Sequence, residues 1–240
     1  MTCAFVLAWM ALLLLVGEAT AQRNAAAPAT GCVGVDFDDD DEHAQAAPRE
    51  ATCLRELRKT ANRKGDLLTL RLENGASKIY RNNPKACDDD HAHCVLYSLV
   101  GYHPAAHLYS ILIQYYEGGR CDLVSARTGK AMSLSSAPHF SPDGSTFIVI
   151  DNDLAYGGPH DIAVGSTASD PPSLVWQHPR EPKPVEWHLQ HWIDNDRAAL
   201  RAVPVFPADA REKCQREACE AILVRFATSW TIRWLPVKPD

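Results

Sequence analysis

Past residue 16 the sequence has no apolar run that approaches the length of a bilayer span, which excludes a membrane-spanning helix from everything after the N-terminus. Past residue 66 almost nothing carries the 3.6-residue periodicity of a long helix, which excludes a helical bundle. Basic residues are not in excess: 24 Lys and Arg stand against 30 Asp and Glu, so no basic stripe points to nucleic acid. There is no G-x-S-x-G nucleophile elbow. "SARTGKAM", residues 125–132, lacks the leading glycine of a phosphate loop, and Ala131 stands where Ser or Thr would hold magnesium. No pair of carboxylates stands out for glycoside hydrolysis. His139, Ser141 and Asp143 fall close together, but a triad needs convergence in space, and a turn explains all three. These absences leave no motif that calls for a cofactor.

The N-terminus is distinctive. "AFVLAWMALLLLV", residues 4–16, is too short to cross a bilayer and is followed by Ala19-Thr20-Ala21, the small-residue pattern of a secretory cleavage site. The reading is a signal peptide over 1–21 and a secreted or periplasmic mature chain with no membrane span. Cys32 in "ATGC" lies too far beyond the apolar run to serve as a lipid-anchor cysteine. Residues 22–50, rich in Ala, Asp and Pro, read as a disordered leader, with six acids in 36–42. The whole chain carries −6, removal of Glu18 with the signal leaves −5, and the six acids account for all of that, so the remainder, at about +1, is near neutral. Residues 51–240 read as a single β-repeat domain, opened by one short helix over 52–64 with Leu54, Leu57 and Ala61 at helical spacing.

An exported chain meets an oxidising compartment, so its cysteines are expected to pair. Cys87 and Cys94 bracket "DDDHAH", Cys214 and Cys219 bracket "QREA", and Cys32 with Cys53 would tie the leader to the first element. That pairing leaves Cys121, read as a buried thiol on a strand, with a link to another chain or a reactive nucleophile as the alternatives. His91 and His93 alternate, so on an extended strand they would share a side and offer weak candidates for a metal, although no metal site is assigned. In "EWHLQHW", strand alternation puts Trp187, Leu189 and His191 on one face and His188, Gln190 and Trp192 on the other. Trp187, His188, His191 and Trp192 are the candidate binding residues, as an aromatic-lined surface for a peptide or glycan.

From residue 66 onward the chain breaks into short runs rich in Val, Ile, Leu, Tyr and Trp, punctuated by Gly, Pro, Asn and Asp. They are "LLTLRL", "VLYSLVGY", "LYSILIQYY", "DLVSA", "STFIVI", "DIAVG", "SLVWQ", "VEWHLQHW", "AALRAVPVF", "AILVRFA" and "WTIRWL". The pattern predicts an all-β, antiparallel domain. The runs also repeat. The segment from Tyr102 matches the one from Phe140: Pro104 falls on Pro142 and, with one residue of slip, Gly118-Gly119 on Gly157-Gly158 and Asp122 on Asp161. A looser third copy opens at Trp187, and "IDND" at 193–196 then falls on "IDND" at 150–153, with "FPADAREKCQREACE" as an insertion. On this reading the two copies of "IDND" occupy equivalent repeat positions as turns, since neither is followed by the ligands of a calcium loop. A period of about 40 residues made only of strands predicts propeller-like four-stranded blades, about three to four of them, in an open or incomplete propeller.

"HFSPDGSTFIVI", residues 139–150, resembles the turn signature of the β-propeller repeats in the periplasmic TolB-like family, where Pro-Asp-Gly makes the tight turn between two blade strands. The physics of the residues agrees: Pro142 presets φ, Asp143 favours the turn and Gly144 accepts positive φ. The resemblance implies a propeller fold and a bacterial envelope setting. It implies no particular activity, because propellers host many. The expectation is therefore an exported binding protein that engages a protein, peptide or envelope polymer. The alternatives are an exported hydrolase or lyase with a His/Asp/Glu site at the blade tips, and a structural envelope protein linked through Cys121.

Overall fold

The run "FIVI", residues 147–150, is apolar at every position rather than at alternate ones, so a strand made of it is stable only when both of its faces are covered. The computed structural model of the protein, which describes residues 31–33, 42–155, 157–180, 185–205 and 218–236, meets that demand by stacking sheets. Strands β1 (Ala61–Lys64), β2 (Leu67–Arg71) and β3 (Ser77–Arg81) form a three-stranded antiparallel sheet. Three four-stranded antiparallel sheets follow, each a meander of consecutive strands. The second sheet holds β4 (Val95–His103), β5 (Leu108–Tyr115), β6 (Gly119–Ser125) and β7 (Ala131–Leu134). The third holds β8 (Pro138–Phe140), β9 (Thr146–Ile150), β10 (His160–Ser166) and β11 (Ser173–Pro179). The fourth holds β12 (Val185–Asp194), β13 (Arg197–Pro204), β14 (Cys219–Phe226) and β15 (Ser229–Trp234).

Alternation along each strand deals its side chains to two different cores. On β9, Phe147 and Val149 pack with Leu108, Leu123 and Leu134 of the second sheet, while Ile148 and Ile150 pack with Trp187, Leu200 and Leu223 of the fourth. On β5, Tyr109, Ile111 and Ile113 meet Leu68, Leu70 and Tyr80 of the first sheet. Polar clamps join the same sheets. Asp161 on β10 accepts hydrogen bonds from His178 Nδ1 at 2.8 Å and from the indole N–H of Trp187 at 3.1 Å. Ser125 and Thr128 both donate to the carboxylate of Asp170.

The matched repeat positions hold equivalent places in successive sheets. Tyr102 and Phe140 lie near the ends of the first strands of their sheets, and Asp122 and Asp161 are both buried on third strands. The expected turn forms at residues 141–145: Gly144 has φ +71° and donates its N–H to Ser141 O. The Asp143 carboxylate, raised by burial, is held below the usual carboxylate range by stronger opposing hydrogen bonds from Ser145 and Ser141.

The third repeat needs correction. Ile150–Asp153 leaves a second strand, whereas Ile193–Asp196 closes a first strand and makes the β12–β13 turn, so the two are not equivalent. They match in letters because both are Asx turns: Asp151 accepts from Asp153 N at 3.1 Å and Asp194 from Asp196 N at 2.9 Å. Each Asn then clamps the neighbouring sheet. Asn152 hydrogen-bonds both backbone groups of Trp187, and Asn195 Oδ1 accepts from Asp143 N.

The helix also differs from expectation. Helix α1 spans Glu42–Glu56, and residues 61–64 are strand instead. Ala46, Glu50, Cys53 and Leu57 line one helical face, but Arg49 and Glu50 read as leader residues because their partners are distant in sequence. Arg49 Nε donates to Val100 O, and Glu50 accepts from Leu99 N while pairing with Arg63 at 2.7 Å. Disulfides Cys32–Cys53 and Cys87–Cys94 form as expected. Cys219 is disulfide-bonded; Cys214 lies outside the described residues, as do the segment 1–21 expected to be a signal peptide and most of 22–50. Among the described residues no helix is long and apolar enough to cross a membrane.

Candidate functional site

In a four-stranded meander the first and third connections fall on one edge of the sheet, and the second connection and the link to the next sheet on the other. The first edge carries only short connections of two to six residues, mostly tight turns: 104–107, 126–130, 141–145, 167–172, 195–196 and 227–228. The second edge carries every long connection in the three four-stranded sheets: 82–94, 151–159 and 205–218, the last only partly described. Loops positioned by a rigid scaffold are where binding residues concentrate.

Segment 82–94 is shaped by a short helix, α2 (Ala86–Asp89), a 3₁₀ turn at His91–His93 and the Cys87–Cys94 disulfide. The expected sharing of one side by His91 and His93 does not occur, because a 3₁₀ turn does not alternate as a strand does. His91 stacks on Tyr116 with ring centroids 3.5 Å apart and planes 6° apart, and His93 pairs with Asp90 at 2.7 Å. Tyr116 is 52% exposed, so the stacked pair forms an open aromatic step.

Loop 151–159 is pinned from within. Asp151 is buried, and both of its carboxylate oxygens are taken: Oδ2 accepts from Gly158 N, and Oδ1 from Asp153 N with Arg180 Nη2 at 3.3 Å. Arg180 also donates to the carbonyls of Asp151 and Gly158. A Cβ at Gly157 would lie 2.0 Å from Asp153 O, whereas one at Gly158 would meet nothing closer than 3.8 Å. Gly157→Ala is therefore expected to cost about 1–3 kcal/mol, with Gly158→Ala within about 0.5 kcal/mol of wild type; thermal denaturation of the two variants checks this.

Beside this loop a cleft of about 180 Å³ opens between the second and third sheets. Leu134, Val149 and Leu174 form its apolar floor; Ser135, His160 and Gln177 form its polar lip. Sites for drug-sized ligands run to roughly 300–1,000 Å³, so this cleft has room for one side chain or a comparably small group.

The candidate strand β12 behaves differently from its simple alternation. A bulge between Leu189 and His191 shifts the register, so Trp187, Leu189 and Trp192 sit opposite Ala202, Leu200 and Ala198, all core-facing. His188 and His191, opposite Arg201 and Ala199, share the outward face instead of lying on opposite faces. Trp187 is 2% exposed and packs on Trp234, and Trp192 packs edge-on against Trp230, so the two indoles build the core between sheets rather than a surface.

Among the described residues no three His, Cys, Asp or Glu side chains converge to hold a metal. Two arrangements resemble fragments of a catalytic site. His103 and Ser110 lie 3.2 Å apart but are buried, with Phe140 stacked on the imidazole at 3.8 Å, so no substrate reaches them. His178 is oriented by Asp161, yet among the described residues no Ser, Thr or Cys is hydrogen-bonded to it. The Cys121 thiol is fully buried on β6, out of reach of a second chain.

No family model matches the chain, and neither does a characterised protein or a solved structure. Of the residues on the long-loop edge, His91 was a candidate in the sequence and Asp151 was read only as a turn former, while Tyr116, His160, Gln177 and Arg180 were not singled out. The one available signal was the pair of aligned Gly-Gly steps that open onto this edge.

Proposed function

We propose that the protein is an exported binding module, an open array of propeller-like blades that engages a protein or peptide partner through its long-loop edge. The observation that supports this best is the segregation of connections: short ones, mostly tight turns, on one edge, long loops with the stacked His91–Tyr116 pair and the cleft on the other. The cleft takes a single apolar side chain of the partner, with Ser135, His160 and Gln177 meeting the partner's backbone at the lip. Face-to-face stacking of successive meanders supports the propeller reading, and the two disulfides support export.

Photo-reactive residues placed at Tyr116 and Gln177, compared with the same probe at Thr128 and Asn195 on the tight-turn edge, test the proposal in the native host. One partner captured from both long-loop positions and from neither tight-turn position is the expected result. Equal capture from both edges, or none from the long-loop edge, overturns it.

A further inference from the structure

The near-neutral charge of the folded part conceals a segregation that only the sheet register exposes. In the first sheet Leu68, Leu70 and Tyr80 point into the core, so the alternate residues of each strand point to solvent. Those outward positions carry Lys64, Arg71 and Arg81, all exposed, and no acid. Between them lie Leu67, Thr69 and Ile79, the last 60% exposed. Lys64, Leu67 and Arg81 form one cross-strand row, which puts the two cations about 10 Å apart, and Arg71 lies about 13 Å further along β2. Three cations thus frame a flat aliphatic patch. Exposed Arg58 and Lys59, in the turn that feeds β1, add to the same sign. Asp66 in the β1–β2 turn is the nearest acid along the strands, while Glu73 beyond β2 is engaged by His107 and Arg127. The other open end of the stack is unlike this one. The outward face of the fourth sheet balances Glu186, Asp194 and Glu220 against Arg197, Arg201 and Arg233.

We propose that the outward face of the first sheet docks the protein peripherally on an anionic lipid bilayer. Cations around an exposed aliphatic centre match the two components of interfacial binding, attraction to headgroup charge and shallow burial of apolar surface. An acidic polysaccharide would be held by a groove or by aromatic rings against its sugars, and no aromatic side chain faces outward on this sheet. The face lies on the first sheet and is independent of the long-loop edge.

Co-sedimentation of the mature chain with phosphatidylglycerol–phosphatidylcholine vesicles, and with phosphatidylcholine alone, tests this. The wild type is expected to partition onto the anionic vesicles only, and less so as salt rises. The triple variant K64Q/R71Q/R81Q should lose about a hundredfold in partitioning, about fivefold per residue. Ile79→Ser should weaken binding severalfold at unchanged charge. R201Q/R233Q, on the opposite end of the stack, should bind as wild type. All of these positions are exposed, and thermal denaturation confirms that each variant is folded. No partitioning of the wild type, a triple variant that binds equally well, or retention on an acidic polysaccharide without vesicle binding would each overturn the proposal.

Discussion

Replacing Asp161 with Ala is expected to destabilise the protein by about 4 kcal/mol, because hydrogen bonds to a charged acceptor contribute about 1.5–3 kcal/mol each and this carboxylate receives two. Asp161 is 3% exposed, and its partners come from two elements: His178 from β11 in its own sheet and Trp187 from β12 in the next. Removing the carboxylate strands the indole N–H inside the core between the third and fourth sheets, where water does not replace the lost acceptor. Trp187→Phe should cost less, since it deletes donor and demand together and leaves His178 to satisfy the acid. The double variant should then be more stable than the sum of the singles predicts, with a coupling of about 1–3 kcal/mol. Asp122, its counterpart in the second sheet, offers the contrast. It accepts from Ser133 at 2.6 Å and faces the exposed Arg120 at 3.7 Å, so its loss leaves no buried donor from another sheet. Urea denaturation measures all four variants. An Asp161→Ala cost below about 1 kcal/mol would mean that the carboxylate merely occupies the gap between sheets.

The same residues show how far the sequence could be read. All eleven apolar runs named from the sequence became strands: β5 and β9 are buried on both faces and largely apolar along their length, whereas β2, β11, β12 and β15 cover one face and alternate. The other four strands are short and carry polar residues where they meet solvent: "ANRK", which the sequence places in the helix, and "SKIYR", "AMSL" and "PHF", which are absent from the apolar runs. The repeat was legible where turn chemistry repeats, as in Pro104 with Pro142, and misleading in "IDND", where two unrelated Asx turns share four letters. The helix start was hidden because Glu50 and Arg49 gain their purpose only from Arg63, Leu99 and Val100. The faces of β12 were misjudged for a related reason. A bulge adds one residue to a strand and reverses every assignment after it, and nothing in "HLQHW" marks the spot. The cleft was illegible in principle, since Leu134, Val149 and Leu174 come together only when two sheets stack.

Acid should weaken this fold through one histidine more than through any other group with a resolved shift. His103 is 6% exposed, wedged between Ser110 Oγ and the Phe140 ring, and burial first, then the nearby Arg49 charge, pushes its pKa down from 6.5 to about 3. Above pH 6.5 the ring is neutral in both folded and unfolded chains and contributes no pH dependence. Below that value the unfolded chain takes up a proton that the folded chain refuses, so stability falls by about 1.4 kcal/mol per pH unit. The fall continues until the pH reaches the folded value of about 3, where both states are charged. His103→Gln keeps a polar group for Ser110 but cannot titrate. At pH 7 it should be less stable than wild type by about 1–2 kcal/mol, from imperfect packing against Phe140 and a changed hydrogen bond. At pH 4 the order should reverse, because the wild type will have lost about 3.5 kcal/mol through this one site and the variant none of it. Denaturation curves of both proteins between pH 7 and pH 4 therefore should cross near pH 5–6. Parallel curves would mean that the imidazole gains its proton inside the fold, which would require the Phe140 side of the site to open to water.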